Sequence, residues 1–283
     1  MILIADSGST KTDWLLIDGG DCRFSPSTII STQGLNPVHQ TPETILQILR
    51  KELLPQLDVS VNTVCFYGSG VRPELELQMA SVLRETFPQA EAVDVHSDML
   101  GAARALCGHN EGIASILGTG ANSCLYDGYG ILKNTPAMGF ILGDEGSGAS
   151  LGKHLVHDLY KGILSKDIVN AFESETGLTL PDLIDKVYRQ PLPNRFLASL
   201  STFIHNHLDD PSVHRMVVAC FCDFFAYNIV PYGRPDLSVN FVGSIAFYYQ
   251  DELREAAEHQ GFRLGTILRS PLEGLVRYHL NQG

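Results

Sequence analysis

The stretch Met1–Trp14, MILIADSGSTKTDW, constrains this chain more than any other. Ile2, Leu3, Ile4 and Ala5 are apolar without alternation, the pattern of a strand covered on both faces. Asp6 ends the run. Ser7, Gly8, Ser9, Thr10, Lys11 and Thr12 then make a turn of hydroxyls, one glycine and one ammonium, and Trp14 to Ile17 restore an apolar strand before Asp18, Gly19 and Gly20 turn again. In such a strand–turn–strand, successive backbone N–H groups can form a nest for an anion, and Asp6 beside it could hold a hydrated Mg²⁺. An ordinary hairpin with a polar tip in water fits the same residues.

The grammar of the opening returns after Gly108-His109-Asn110-Glu111-Gly112. Ile113 to Leu117 reads as a strand, Gly118-Thr119-Gly120-Ala121-Asn122 as a turn, Ser123 to Tyr126 as a second strand, Asp127-Gly128 as a hairpin turn and Gly130 to Asn134 as a third strand. A repeat of architecture with little identity of sequence predicts two α/β lobes. The first meander comprises residues 2–6, 12–18 and about 22–30. After it a helix is expected to about Leu54 behind Thr41, then a strand over Val61–Tyr67, a helix from Pro73, a strand over Ala92–Val95 and a helix over Met99–Cys107. In the second half, helices are expected from Glu145 to about Ile163, around Asp167–Glu175, over Phe196–His207, from Ser212 to Ile229, over about 247–259 and from Ser270-Pro271 through Leu280. A strand is expected over Val239–Val242.

Composition removes several classes of function. The 283 residues, 44% of them hydrophobic, supply ample core for one large or two medium domains. A net charge of −12, from 32 acids against 20 bases, argues against nucleic acid or an anionic membrane as partner. No apolar run approaches the roughly 20 residues of a membrane span, so a cytoplasmic protein is expected. Six scattered cysteines without a C-x-x-C pair suggest reduced thiols and no structural zinc.

Three further stretches carry chemistry with an alternative beside each. The loop Thr32-Gln33-Gly34-Leu35-Asn36-Pro37 is either a connection or a polar contact for a ligand. Asp98 either caps its helix with Ser97 or stands free to act on a substrate. Gly143-Asp144-Glu145-Gly146-Ser147 offers acceptor-only carboxylates suited to a polyhydroxy ligand, or acids that open a helix. Gly146 to Lys153 is neither a Walker A, because Ser147 stands where its first glycine belongs, nor a Rossmann fingerprint, because Leu151 holds the third glycine position.

Taken together, ADSGSTKTDW, ILGTGANS, GFILGDEGSG and VNFVGSIA resemble the ASKHA superfamily of sugar kinases, actin and heat-shock ATPases. Within it they are similar to the BadF/BadG/BcrA/BcrD group that includes N-acetylglucosamine kinase. The resemblance implies an α/β fold of two RNase H-like lobes, each with a mixed five-stranded sheet, and a cleft between them for ATP and Mg²⁺. The lobes would span 1–108 and 109–283, with a helical insertion at about 165–210 and a last helix, 271–281, at the lobe junction. It further implies that Asp6 holds the metal and that Gly8, Ser9, Thr10, Lys11 and Thr12 surround the β- and γ-phosphates. Gly118, Thr119 and Gly120 would form the second phosphate turn, and Gly243 with Ser244 the adenosine turn, where the family usually has two glycines. Asp98 would be the base that takes the proton of the attacking hydroxyl. Asp144 and Asn36 would bind the sugar, with Asp98, Thr119 and Gly120 beside it.

The implied activity is transfer of a phosphoryl group from ATP to an amino sugar, N-acetylglucosamine first. Ala137-Met138-Gly139-Phe140 departs from the Gly-Gly-Trp-Gly run common in those kinases. The alternative within the group is an ATP-driven activator of a partner enzyme, which would need cysteines such as Cys107 and Cys124 exposed for an iron–sulfur cluster. A small molecule is thus the expected partner, and a homodimer is left open.

Overall fold

The structure, a computed structural model, describes residues 1–8, 10–17 and 29–280. The expectations for Ser9, for the turn at Asp18–Gly20, for a strand over 22–28 and for residue 281 lie outside the described residues.

Two compact units are present: Met1–Asn110 with Gly128–Gly130 and the segment from Ser270 onward, and Glu111–Asp127 with Ile131–Arg269. In the first unit β1 (Ile2–Ser7), β2 (Lys11–Ile17) and β3 (Ile29–Gln33) form an antiparallel meander, followed by α1 (Pro42–Ile48). β4 (Thr63–Gly68), α2 (Pro73–Thr86), β5 (Ala92–Ser97) and α3 (Asp98–Cys107) add two parallel strands and their helices. The sheet order is β3-β2-β1-β4-β5. Both faces of β1 are covered, as its unbroken apolar run requires. Leu3, Ala5 and Trp14 pack on one face with Ile45, Leu49, Met79 and Leu83 from the helices there. Ile4, Leu15, Ile17 and Cys65 pack on the other with Ala105, Leu272, Leu275 and Val276. Each fully buried side chain of this kind contributes about 1.5–3 kcal/mol. Trp14 also donates from Nε1 to Thr32 Oγ1 at 3.0 Å, which ties β2 to β3.

The second unit repeats the plan. β6 (Gly112–Leu117), β7 (Ala121–Tyr126) and β8 (Ile131–Thr135) form the meander. The helices α4 (Gly139–Leu142), α5 (Gly148–Tyr160), α6 (Lys166–Thr176), α7 (Leu180–Tyr188), α8 (Pro193–Ser199), α9 (Ser201–Asn206) and α10 (Pro211–Phe224) follow. Then come β9 (Val239–Val242), α11 (Ser244–Tyr248), α12 (Gln250–His259) and β10 (Leu264–Leu268). The order β8-β7-β6-β9-β10 matches the first sheet strand for strand, with β9 and β10 parallel to β6. Its core gathers Phe172, Phe221, Phe224, Phe225 and Phe241. The expected α/β fold with two mixed five-stranded sheets is therefore present.

Several boundaries differ from the sequence reading. The helix expected from Glu145 starts at Gly148, because Ser147 caps it by accepting the Ser150 N–H at 3.1 Å and leaves Asp144–Ser147 as a turn. The helix expected over 247–259 is two helices broken at Tyr249, whose buried hydroxyl donates to the Ser201 carbonyl at 2.5 Å. The segment 165–210 includes α7, set by a Thr179–Asp182 capping box. The apolar helical run Pro211–Tyr232 has 22 residues, long and apolar enough to cross a membrane, contrary to the expectation that no run approaches that length. Here Val213, Val217, Phe221 and Phe224 bury it in the core instead.

The last helix, α13 (Leu272–Leu280), expected inside the 109–283 lobe, belongs instead to the first unit, where it packs on α3 and β1. Gly274 makes this close: a Cβ there would meet the Ala105 carbonyl oxygen at 2.3 Å.

Candidate active site

In the first unit the β1–β2 register places Asp6 opposite Asp13 and Ser7 opposite Thr12. Pleating sends the second pair inward. Both are fully buried, their hydroxyls are 2.6 Å apart, and the Leu35 N–H donates to each, at 3.1 Å to Ser7 and 3.2 Å to Thr12. The Thr12 side chain is therefore a brace for the loop at Leu35. The turn closes through a 3.0 Å bond from the Gly8 N–H to the Lys11 carbonyl, and Gly8 and Thr10 are exposed. Lys11 is exposed and its Nζ pairs with Asp13 at 2.6 Å. Ser9 lies outside the described residues.

Asp6 is half-buried at the end of β1. Burial, then the charges of Asp98 and Asp13, push its carboxyl up to about 7, with Lys11 opposing. A hard divalent cation relieves that kind of strain, since carboxylate oxygens are its preferred donors. The donor set fits Mg²⁺ held largely by water and one protein carboxylate, and no described group of three or more His, Cys, Asp or Glu could hold a metal by itself.

Asp98 is the first residue of α3, directly after β5. Ser97, not Asp98, is the cap: it accepts the Leu100 N–H at 3.3 Å. Asp98 Oδ1 accepts the Met99 N–H at 2.8 Å. Burial raises the Asp98 carboxyl, while hydrogen bonds from the Met99 backbone, its own backbone and the Ser69 side chain hold it down. A half-buried carboxylate at a helix N-terminus, freed from capping, suits proton acceptance from a hydroxyl.

Asn36 is fixed by its own loop. Its Oδ1 accepts the Val38 N–H at 2.9 Å, its backbone N–H donates to Gln40 Oε1 at 2.8 Å, and its amide lies against Gly70. Gly70 has φ 79°, and a Cβ there would lie 2.3 Å from Asn36 Oδ1. Ser69 and Gly70 were read from sequence only as a loop. The available signal was a Gly-Ser-Gly run at the end of a buried strand.

In the second unit the β6–β7 turn closes through a 3.0 Å bond from the Gly118 N–H to the Gly120 carbonyl. The first N–H groups of α5 then meet it: Gly148 donates to the Gly118 carbonyl at 2.8 Å and Ala149 to the Thr119 carbonyl at 3.1 Å. Asp144 has φ 56° and lies over Gly120, where a Cβ would come within 2.9 Å of its Oδ2. Burial raises the Asp144 carboxyl, and the Ala121 N–H bonded to it acts in the opposite sense. Glu145 turns away to accept from Asn228 Nδ2 at 3.1 Å, so of the two neighbouring carboxylates only Asp144 borders the turn. Gly243, at φ 122°, lies against the same turn: a Cβ would sit 2.2 Å from the Leu117 carbonyl oxygen. Ser244 begins α11 and is exposed.

Sequence-predicted residues thus gather in two groups: Asp6, Gly8, Thr10, Lys11, Asn36 and Asp98 in one unit, and Gly118, Thr119, Gly120, Asp144, Gly243 and Ser244 in the other.

No protein-family model matches the sequence, and neither does a curated protein. Among solved structures, the putative N-acetylglucosamine kinase of Porphyromonas gingivalis is 47% identical, with 100% of this chain and 99% of that one covered and a TM-score of 0.94. The chain belongs to this protein's family. A putative N-acetylglucosamine kinase of Chromobacterium violaceum is 18% identical over 98% of both chains, TM-score 0.69. The ethanolamine utilization protein EutJ of Carboxydothermus hydrogenoformans is 14% identical over 98% of this chain and 88% of its own, TM-score 0.56. These two show the fold shared by this family and others, and the fold alone does not choose a chemistry.

Proposed function

We propose that the chain is an ATP-dependent sugar kinase of the BadF/BadG/BcrA/BcrD group, phosphorylating a hydroxyl of N-acetylglucosamine. The observation that carries this reading is Asp98, a half-buried carboxylate raised by burial and left uncapped because Ser97 does the capping, whose charge in turn helps to raise Asp6. The 47% identity to the putative N-acetylglucosamine kinase of Porphyromonas gingivalis supports the choice of sugar.

Phosphoryl transfer has a loose transition state, so positioning and charge neutralisation supply most of the catalysis. Asp98 would accept the proton of the attacking hydroxyl and orient it. Asp144 and the Asn36 amide would hold other sugar hydroxyls. The Thr10 backbone N–H, and those of Thr119 and Gly120, would hold phosphate oxygens, while Gly243 would let a nucleoside approach the backbone beside Leu117. Asp6 would bind Mg²⁺, which when present neutralises charge on the phosphate oxygens. The activator alternative receives no support from the cysteines: Cys124 is fully buried and burial pushes the Cys107 thiol up to about 12, so neither is poised as a cluster thiolate.

Sugar-dependent ADP release with Mg²⁺, across amino sugars and hexoses, tests the proposal. Release that requires N-acetylglucosamine and is lost in Asp98→Asn is expected. Release indifferent to every sugar would overturn it.

A further inference from the structure

The loop after β4 is joined to three parts of the first unit's site. Gly68 pairs with Ser97 in the β4–β5 register, so Ser69 and Asp98 are the residues that follow at neighbouring strand ends. The Ser69 N–H donates to the Ser7 carbonyl at 2.8 Å, which fixes the loop to β1 one residue beyond Asp6. The β4–β5 register places the Ser69 side chain beside Asp98, where it acts against burial and helps to hold the carboxyl down. Gly70, at φ 79°, accommodates the Asn36 amide where any Cβ would collide with it.

We propose that Ser69 is a positioning residue, whose hydroxyl selects the rotamer of Asp98 that aims its free oxygen at the substrate hydroxyl. A carboxylate has two oxygens. One already accepts the Met99 N–H, and the backbone of α3 holds the carboxylate from that side alone, which leaves the other oxygen to be set by its neighbours in the loop. A second bond, from a hydroxyl whose own backbone is pinned to β1, fixes the plane. The adjacent Gly70 extends the same device to Asn36, so one four-residue loop sets both the proton acceptor and a sugar contact. The inference rests on the kinase reading for its catalytic consequence, but its geometry does not.

The test combines kinetics and crystallography on the full chain. Ser69→Ala is expected to lower kcat about ten- to a hundredfold, with KM for N-acetylglucosamine changed less than about twofold, because a misaimed acceptor costs transition-state alignment rather than sugar binding. Ser69→Thr, which keeps the hydroxyl, should restore most of kcat. In a crystal structure of Ser69→Ala the Asp98 carboxylate should be rotated or split between rotamers. An unchanged kcat, an equal rise in KM, or Asp98 held in its original orientation would overturn the proposal. A Ser69→Ala chain that does not fold would overturn it as well, since the hydroxyl would then hold the fold and not the carboxylate. If the wild type shows no sugar-dependent turnover, the kinase reading fails on that result, and the orientation of Asp98 in Ser69→Ala still decides the role of Ser69.

Discussion

The Tyr67 hydroxyl stands 2.9 Å from His279 Nε2, joining β4 to the last helix across 212 residues of sequence. Arg104 Nη1 donates to the same hydroxyl at 2.9 Å, and Cys65 Sγ lies 3.8 Å from His279 Nδ1. The Tyr67 oxygen accepts from Arg104, and its own proton is free to turn toward His279 Nε2. Burial first, then the Arg104 charge, push His279 down to about 4, with His96 acting in the same sense and Asp94 opposing.

The sign of the resulting pH dependence follows. An unfolded histidine titrates near 6.5, so between about 4 and 6.5 the unfolded chain binds more protons at this site. The His279 contribution to stability is complete above about 6.5 and is lost as pH falls toward 4. Thermal melts should show wild type losing about 1–3 kcal/mol relative to His279→Gln between pH 7 and pH 4.5. Parallel curves would contradict the assignment. Tyr67→Phe should cost about 1–3 kcal/mol at pH 7, since it removes the shared partner of two half-buried groups.

Asp6 carries the opposite slope. Its carboxyl is pushed up to about 7 from an ordinary value near 3.8, so the folded chain binds more protons there and stability falls as pH rises from about 4 to 7. Asp6→Asn should raise the Tm of the metal-free protein at pH 8 by about 2–5 °C, yet abolish Mg²⁺-dependent turnover. A lower Tm in the variant would show that the carboxylate is stabilising after all.

At Gly243 two effects add: the φ of 122° is unfavourable for any L side chain, and a Cβ would press on the Leu117 carbonyl. Gly243→Ala should cost about 2–4 kcal/mol by chemical denaturation and raise the KM for ATP at least tenfold, leaving KM for the sugar nearly unchanged.

Gly120→Ala behaves differently, because its Cβ would meet the movable Asp144 carboxylate at 2.9 Å rather than backbone. The variant should melt within a few degrees of wild type. Its sugar KM should rise about five- to fiftyfold as Asp144 is displaced, and an unaltered sugar KM would remove Asp144 from the binding site.

The meanders were legible because their signals are local. The apolar run at Ile2–Ala5 and the one at Ile113–Leu117, broken only by Ser115, are each closed by a glycine turn and dictate strand, turn and strand without reference to the rest of the chain. At Asp98 the residues alone left capping and a free carboxylate open, and it takes the Ser97 bond to the Leu100 N–H to tell which of the pair caps. β10 was missed because its strand pattern is broken: Gly265 and a register shift interrupt it, and the Thr266 N–H is satisfied by Asn240 Oδ1 at 2.9 Å rather than by a ladder carbonyl. The burial of Thr12 and the roles of Ser69 and Gly70 were invisible for another reason. Each depends on a partner, Leu35, Asp98 or Asn36, from about 23 to 34 positions away, and no periodicity reports such a meeting. The same is true of α13, whose packing face reads as an amphipathic helix without an address.

That address has a consequence for how the protein is made. Ile4, Leu15 and Ile17 share a core with Leu272, Leu275 and Val276, so the part of that flank of the first sheet that α3 does not cover stays open while everything from Glu111 to Arg269 is still being translated. A ribosome adding roughly 5–20 residues per second leaves that greasy flank bare for tens of seconds at the slow end. The half of the protein synthesised first is the half completed last, and its nascent form is a natural client for a chaperone.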